Sequence, residues 1–313
     1  MPEHSQGQPF VYLDQPANAN DRNLVSFISE RRDEVLERLH DLGSVLFRGF
    51  ARAADDGSLG KLARLVAGGE LFGYVGGASP RTSLGRGLYT STEYPASLEL
   101  PLHNELSYSA RFPRYLFFEC ITPAASGGET TLGDSRQMLV RISPAIVSEF
   151  RSKGILYERH LHCSPGDGYS WQEAFATDSR KEVLSRCAGI AADAEFLCDG
   201  TLRMIQKGRA TTRHPITGEE VWFNQAAGFH SSNIDAGTRS SLAEQGLRPR
   251  LEARFGDGSA IPDETIAAIH EAFRQEAVEH AWQAGDVIAV DNVLTAHGRM
   301  PFTGPRRIAL AMA

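Results

Sequence analysis

Cysteine is scarce in this chain of 313 residues. There are four, Cys120, Cys163, Cys187 and Cys198, and no two share a CxxC spacing. A thiolate zinc site or a dithiol redox pair therefore has no support. No stretch approaches the ~18 apolar residues that a membrane-spanning helix needs. The opening MPEHSQGQPFVYLDQPAN carries neither the basic stretch nor the apolar core of a secretion signal. These absences lead us to expect a cytoplasmic protein with reduced thiols and no membrane partner. Lysine is scarce too: only Lys61, Lys153, Lys181 and Lys207 among 32 basic residues, the rest being arginine. We read that as a compositional bias of the source genome. A basic face is missing, since the net charge is -7 and the pI about 5.8, which argues against nucleic acid as a partner. The densest basic run, Arg248 to Arg254, alternates with Pro and apolar residues and reads as an exposed strand edge. GxSxG, Walker A and GxGxxG motifs are all absent.

What is present is enough for a sizeable core, with 42% hydrophobic residues. Residues 1–20 read as a loose polar lead-in. From Asp21 an apolar stripe of Leu24, Val25, Phe27, Ile28, Val35, Leu36 and Leu39 predicts a helix. Ser44 to Phe50 predicts a strand, and residues 60–66 a helix. Residues 70–100, rich in Gly, Ser, Pro and Thr, predict a long loop with short strands, a kind of loop that is often functional. Strands are expected over 114–122, from Thr130 to Leu132, over 155–162, in several short pieces between Ala194 and Phe223, from Asp286 to Val290, and from Ile308 to Met312. Helical periodicity runs from Ser135 to Ser152, with Ser143-Pro144 as a helix start. Trp171 to Phe175 and Arg180 to Ala188 read as short helices. A late helix begins at Pro262-Asp263 and carries Ile266, Ile269, Phe273 and Val278 on one side. Many short strands with inserted helices suggest a β-sandwich or barrel decorated by helices, with residues 1–313 as one domain.

The chemistry-bearing residues come from distant parts of the chain. In Pro101-Leu102-His103-Asn104-Glu105, a His and a Glu stand two apart. On an extended chain they share a face, and offer an imidazole and a carboxylate to one metal. A second imidazole is His297, in Asp291-Asn292-Val293-Leu294-Thr295-Ala296-His297-Gly298-Arg299. Two His and one carboxylate leave half of an octahedron open, the donor set favoured by non-haem Fe(II) oxygenases. An HxE pair alone is more often not a metal site, and a lone late His is usually a surface or core residue. The context past His297 adds weight. Gly304-Pro305-Arg306-Arg307-Ile308-Ala309-Leu310 puts an arginine at the start of an apolar strand. Burying it is costly unless a carboxylate lies opposite to take its paired N–H groups.

HxE, then a strand, then Gly127-Gly128-Glu129-Thr130, then the DN…AHGR run and PRR, together resemble the taurine dioxygenase-like (TauD/TfdA) family of Fe(II)/2-oxoglutarate oxygenases. The resemblance covers roughly residues 90–313. It lies nearest the branch that acts on amino acids in natural-product and antibiotic biosynthesis, with clavaminate synthase-like enzymes and aspartyl, asparagine and arginine hydroxylases. The resemblance implies a mainly β fold with helices, a double-stranded β-helix (jelly-roll) core. It implies iron held by His103, Glu105 and His297, with O2 and 2-oxoglutarate as cosubstrates. Thr130 matches the Thr that hydrogen-bonds 2-oxoglutarate. Arg306 matches the Arg that pairs with its far carboxylate, with the adjacent Arg307 as the alternative. Related halogenases replace the metal carboxylate with Gly or Ala, so Glu105 disfavours halogenation. The expected reaction is hydroxylation of an unactivated C–H bond in an amino acid or derivative, free or tethered to a carrier protein. Desaturation or cyclisation would use the same residues. A zinc hydrolase with the same ligands and a non-catalytic jelly-roll binding module are the competing readings. Nothing in these motifs chooses between monomer and homo-oligomer.

Other polar residues have plainer readings beside functional ones. His160 and His162 form an HxH pair on a predicted strand, more often structural than a second metal site. Asn224 and His230 either face the pocket or shape turns. Arg299 either anchors a substrate carboxylate or ties a loop by its backbone carbonyls. Asn104 should point away from the metal. Asp134 reads as a helix N-cap and Asp291-Asn292 as a turn. Tyr74 and Tyr89 bracket a glycine-rich stretch, either a lid or an ordinary loop.

Overall fold

The computed structural model describes residues 11–14, 23–50, 57–164, 169–245 and 248–313. Most of the expected N-terminal lead-in lies outside these residues. Val11–Asp14, however, is a strand paired in parallel with Ser44–Phe47. No described helix is long and apolar enough to cross a membrane.

A seven-stranded sheet runs in the order Val11–Asp14, Ser44–Phe47, Val287–Asp291, Tyr115–Thr122, Arg307–Met312, Leu88–Thr90, Ser83–Gly85. Its central strands are apolar on both faces, and the period of two sorts their residues. Phe117, Ala289, Ala309 and Ala311 face the helices Leu24–Glu30, Arg32–Leu42 and Ser58–Ala67. Leu116, Phe118, Cys120, Ile288, Val290, Leu310 and Met312 face the other way, where Leu132 of a second sheet joins them. That second sheet runs Val278–His280, Thr130–Asp134, Thr295–Arg299, Leu100–His103. Two sheets over one shared apolar interior make the expected jelly roll. Each large side chain buried there contributes about 1.5–3 kcal/mol. Between the neighbouring strands Thr130–Asp134 and Val278–His280, the chain makes an excursion of helices and a third sheet. Its order is Ala192–Phe196, Leu202–Gly208, Ile155–Leu161, Leu251–Phe255.

The strand expected from Ser44 to Phe50 ends at Phe47, and three further boundaries differ from expectation. The first helix breaks at Arg31, whose backbone is non-helical (φ -123°, ψ 25°), giving Leu24–Glu30 and Arg32–Leu42. The helix expected over 135–152 splits into Ser135–Arg141 and Pro144–Lys153. Pro144 forces the residue before it out of helical geometry; Ser143 instead caps the second helix by accepting from the Ile146 N–H. Val278 belongs to a strand, because the late helix stops at Glu276 and Val278 pairs with Leu132.

Candidate metal centre and two adjoining clefts

Strand register brings the two histidines together. His103 ends Leu100–His103 and sits opposite His297 of Thr295–Arg299, with ring centroids 4.4 Å apart. Gly298 permits this close pairing: a Cβ there would lie 2.5 Å from both the Leu100 carbonyl oxygen and Thr131 Oγ1. Glu105 is placed differently from expectation. The strand stops at His103, and Glu105 begins a turn. Asn292 holds it there. Its Oδ1 accepts the Glu105 N–H at 2.7 Å, and its Nδ2 donates to the Glu105 carbonyl at 3.0 Å and to that of Pro113 at 2.8 Å.

One donor atom each from His103, Glu105 and His297 lies within 4.8 Å of the others, the only such group among the described residues. Burial lowers the pKa of both imidazoles, that of His297 well below the usual value, with His103 adding to the effect. Both rings are therefore neutral near pH 7, as metal ligands must be. His103 Nδ1 bonds the Pro101 carbonyl at 2.9 Å, which fixes the tautomer and leaves Nε2 as the free lone pair. The His297 ring packs 5.2 Å from that of Phe118. The donor set thus fits a divalent cation. Arg81 also reaches this centre, where it is buried and ion-paired with Glu105, its guanidinium over the Tyr74 ring.

Two clefts meet at the triad. The narrower one is lined by Arg81, Phe118, Thr130, His297, Arg299 and Arg306. Thr130 Oγ1 accepts from Trp282 Nε1 at 2.9 Å, so its own O–H is free to donate. Arg306 lies across the glycine pair: a Cβ on Gly128 would come within 3.0 Å of its Cδ, and its Nε donates to the Gly128 carbonyl. No carboxylate pairs with Arg306 among the described residues. Burial, with Arg299 nearby, pulls its pKa down to about 10. Arg307 is exposed and lines neither cleft. The wider cleft, about 320 Å³, is lined by His103 and Glu105 with Tyr74, Arg81, Tyr108 and Arg250 among others.

The remaining candidates take structural places. Arg299 donates to the carbonyls of Tyr94, Pro95 and Leu98, tying the loop ahead of Leu100–His103. Asn104 points away from the triad, to Ser135 Oγ and the Asn292 carbonyl. Asn224 bonds the Ala210 carbonyl and the Ala226 N–H, and His230 bonds Ser232 and the Ile261 carbonyl. His160 bonds the Pro249 carbonyl and approaches Glu158, while His162 is exposed. Asp134 caps its helix by accepting from the Arg136 N–H, and Asp291 accepts from the Val293 and Leu294 N–H groups. Tyr74 and Tyr89 pack edge to face, and the Tyr89 hydroxyl accepts the Tyr74 N–H. Sequence reasoning missed Arg81, Asn292, Trp282 and Arg250. The glycine-rich segment was singled out as functional but Arg81 within it was not. Arg250 was assigned to an exposed edge, yet its side chain turns into the wider cleft.

The family model for taurine catabolism dioxygenase TauD, TfdA family matches residues 9–312. The dapdiamide synthesis protein DdaC of Enterobacter agglomerans is 38% identical over 310 residues, covering 98% of this chain and 92% of its own. A clavaminate synthase-like protein of Arabidopsis thaliana is 30% identical over 283 residues, covering 88% and 82%. Among solved structures, PvcB of Pseudomonas aeruginosa, an Fe, alpha-ketoglutarate dependent oxygenase from an isonitrile synthetic pathway, superposes with a TM-score of 0.56 at 16% identity, covering 98% of this chain and 88% of that one.

Proposed function

The chain belongs to the taurine catabolism dioxygenase TauD/TfdA family, and on that premise we propose that it is an Fe(II)- and 2-oxoglutarate-dependent oxygenase hydroxylating a C–H bond of an amino acid or amino-acid derivative. The observation that carries the reading is the meeting of two clefts at one triad, the narrower of them lined by the half-buried Arg306 guanidinium, which pairs with no carboxylate among the described residues. His103, Glu105 and His297 would hold the iron. When bound, the iron would supply the oxidising chemistry, with O2 and 2-oxoglutarate consumed and succinate, CO2 and hydroxylated product formed. The amino-acid assignment draws support from the dapdiamide and clavaminate names of the two relatives.

The chain's own residues do the positioning. Arg306 would take the far carboxylate of 2-oxoglutarate through charge-assisted bonds, and the Thr130 hydroxyl, oriented by Trp282, would donate to the same molecule. Arg81 stands at the junction, lining both clefts while paired with Glu105. It would hold the metal carboxylate in one orientation as the substrate enters. Tyr74, Tyr108 and Phe229 wall the wider cleft and would keep water from the reacting carbon. Halogenation is disfavoured because Glu105 fills the position a halide would need.

The test is an anaerobic titration with Fe(II) and 2-oxoglutarate, watched by the metal-to-ligand charge-transfer band. It is followed by O2-dependent succinate release across a panel of amino acids. The band should form in the wild type and fail in His103→Ala and His297→Ala. A wild type that forms no band, or that hydrolyses substrates with Zn(II) and no 2-oxoglutarate, would overturn the proposal.

A further inference from the structure

Two arginines, Arg81 and Arg250, line the wider cleft, and a third, Arg159, is buried behind them against the Tyr108 ring. Among the described residues only Arg81, and not Arg159 or Arg250, has an acidic partner. Arg81 pairs with Glu105. Arg159 is 1% exposed and spends its bonds on the Gly76 carbonyl and Gln206 Oε1, each at 2.7 Å. Arg250 stands just ahead of the edge strand Leu251–Phe255 and lines the cleft itself. Its side chain makes one hydrogen bond, from Nη1 to the Ala78 carbonyl at 3.0 Å. No carboxylate pairs with it among the described residues. Of the two acidic residues lining this cleft, Glu105 is taken by Arg81 and Glu99 lies exposed. Burial, with Arg159 nearby, lowers the Arg250 pKa. A guanidinium in this position costs free energy unless a ligand completes it.

We infer that Arg250 is the anchor for a free carboxylate on the substrate, so that the enzyme takes a small carboxylic acid rather than a carrier-bound thioester. The inference rests on the oxygenase reading and narrows it. A carboxylate on Arg250 leaves the rest of the molecule to extend toward His103 and Glu105, which line the same cleft. A thioester formed at that carboxyl has no charge to offer, and would leave the guanidinium buried and unpaired. The cleft volume of about 320 Å³ is at the small end for ligand pockets, which suits a free acid. Arg306 serves a different anion in the other cleft.

The experiment uses protein loaded anaerobically with Fe(II) and 2-oxoglutarate. The probes are the twenty L-α-amino acids and simple aryl and alkyl carboxylic acids, each beside its primary amide. Binding is read from the change in the charge-transfer band, and turnover from succinate after O2 is admitted. At least one acid should bind tenfold or more tightly than its amide. Arg250→Gln keeps a donor for the Ala78 carbonyl and should erase that preference, as should Arg250→Ala. Arg250→Lys should retain part of it. Affinity for 2-oxoglutarate should stay at the wild-type value in all three. A merely structural latch would weaken acid and amide equally. That result, an unchanged preference in Arg250→Gln, or no acid binding while 2-oxoglutarate still binds, each overturns the anchor. Loss of 2-oxoglutarate binding in the wild type is the distinct outcome that sinks the oxygenase reading, and the anchor with it.

Discussion

Asn292→Ala separates what holds Glu105 from what Glu105 does. Asn292 is fully buried and bonds the Glu105 N–H at 2.7 Å and the Glu105 and Pro113 carbonyls at 3.0 and 2.8 Å. Alanine removes all three bonds and leaves three buried backbone groups without those partners. A buried group left unsatisfied costs about 1–3 kcal/mol, though relaxation and water recover part of it, so we expect a loss of about 2–5 kcal/mol. A domain with 5–15 kcal/mol of stability survives that, with a lower melting temperature. The sharper effect is on the metal. Glu105 lies off the strand that carries His103, so without Asn292 only its turn and the Arg81 ion pair hold the carboxylate near the imidazoles. Removing such a supporting contact typically weakens metal binding 10- to 100-fold. Calorimetric titration with Fe(II) under argon, and with Mn(II) as a redox-inert probe, measures this on the same preparations used for melting. A folded Asn292→Ala protein with wild-type metal affinity would show that the Asn292 clamp is dispensable and that the turn and the Arg81 ion pair suffice to position the carboxylate.

Arg306→Ala should weaken 2-oxoglutarate by about 2–5 kcal/mol, roughly 30- to 4,000-fold, as expected when a buried charge pair loses one partner. Arg307→Ala should leave it unchanged, and the reverse pattern in the charge-transfer titration would transfer the role to Arg307. Gly298→Ala should destabilise the protein by about 1–3 kcal/mol through overpacking and weaken metal binding, because the new methyl must push Leu100–His103 away from His297; intact metal affinity would count against the register argument. Asp286 gives a pH signature away from the site. Burial alone would raise its carboxyl, but bonds from Arg48 and the Gln283 N–H, with His280 3.6 Å away, bring it from 3.8 to about 2. A depressed carboxylate stabilises the fold above its unfolded pKa and loses that contribution as pH falls through the folded one. Asp286→Asn should therefore cost about 2 kcal/mol at pH 7, and its denaturation midpoint should converge on the wild type's between pH 4 and pH 2. A pH-independent gap would remove the ion pair as the cause.

The fold was legible wherever a strand or helix carried its own periodicity. The run from Tyr115 to Thr122 reads as a strand from its residues alone, and its two faces sort without help from the rest of the chain. Boundaries set by single backbone events were harder: nothing in the apolar stripe of residues 24–39 announces the break at Arg31. Ser143-Pro144 did announce the helix start seen at that point. At the site, His103 and His297 were legible from their donor types and the motif resemblance, whereas the strands Leu100–His103 and Thr295–Arg299 that bring them together were not among those expected. Glu105 was found for a reason that does not hold, since it sits in a turn and not on the extended face that pairs it with His103. Its true support comes from Asn292, 187 residues away, whose sequence context says only that the chain turns there. Arg81 and Arg250 were illegible for the same reason. A guanidinium becomes informative only once its surroundings show whether an acid lies opposite, and those surroundings come from a glycine-rich segment and an edge strand far apart in the chain. The arginines that matter most here border a cleft without pairing with any carboxylate among the described residues, Arg306 in one cleft and Arg250 in the other. On the oxygenase reading, two cations without a carboxylate partner among the described residues, one on either side of the candidate metal triad, argue for two separate anions, a cosubstrate and a substrate, meeting at the same centre.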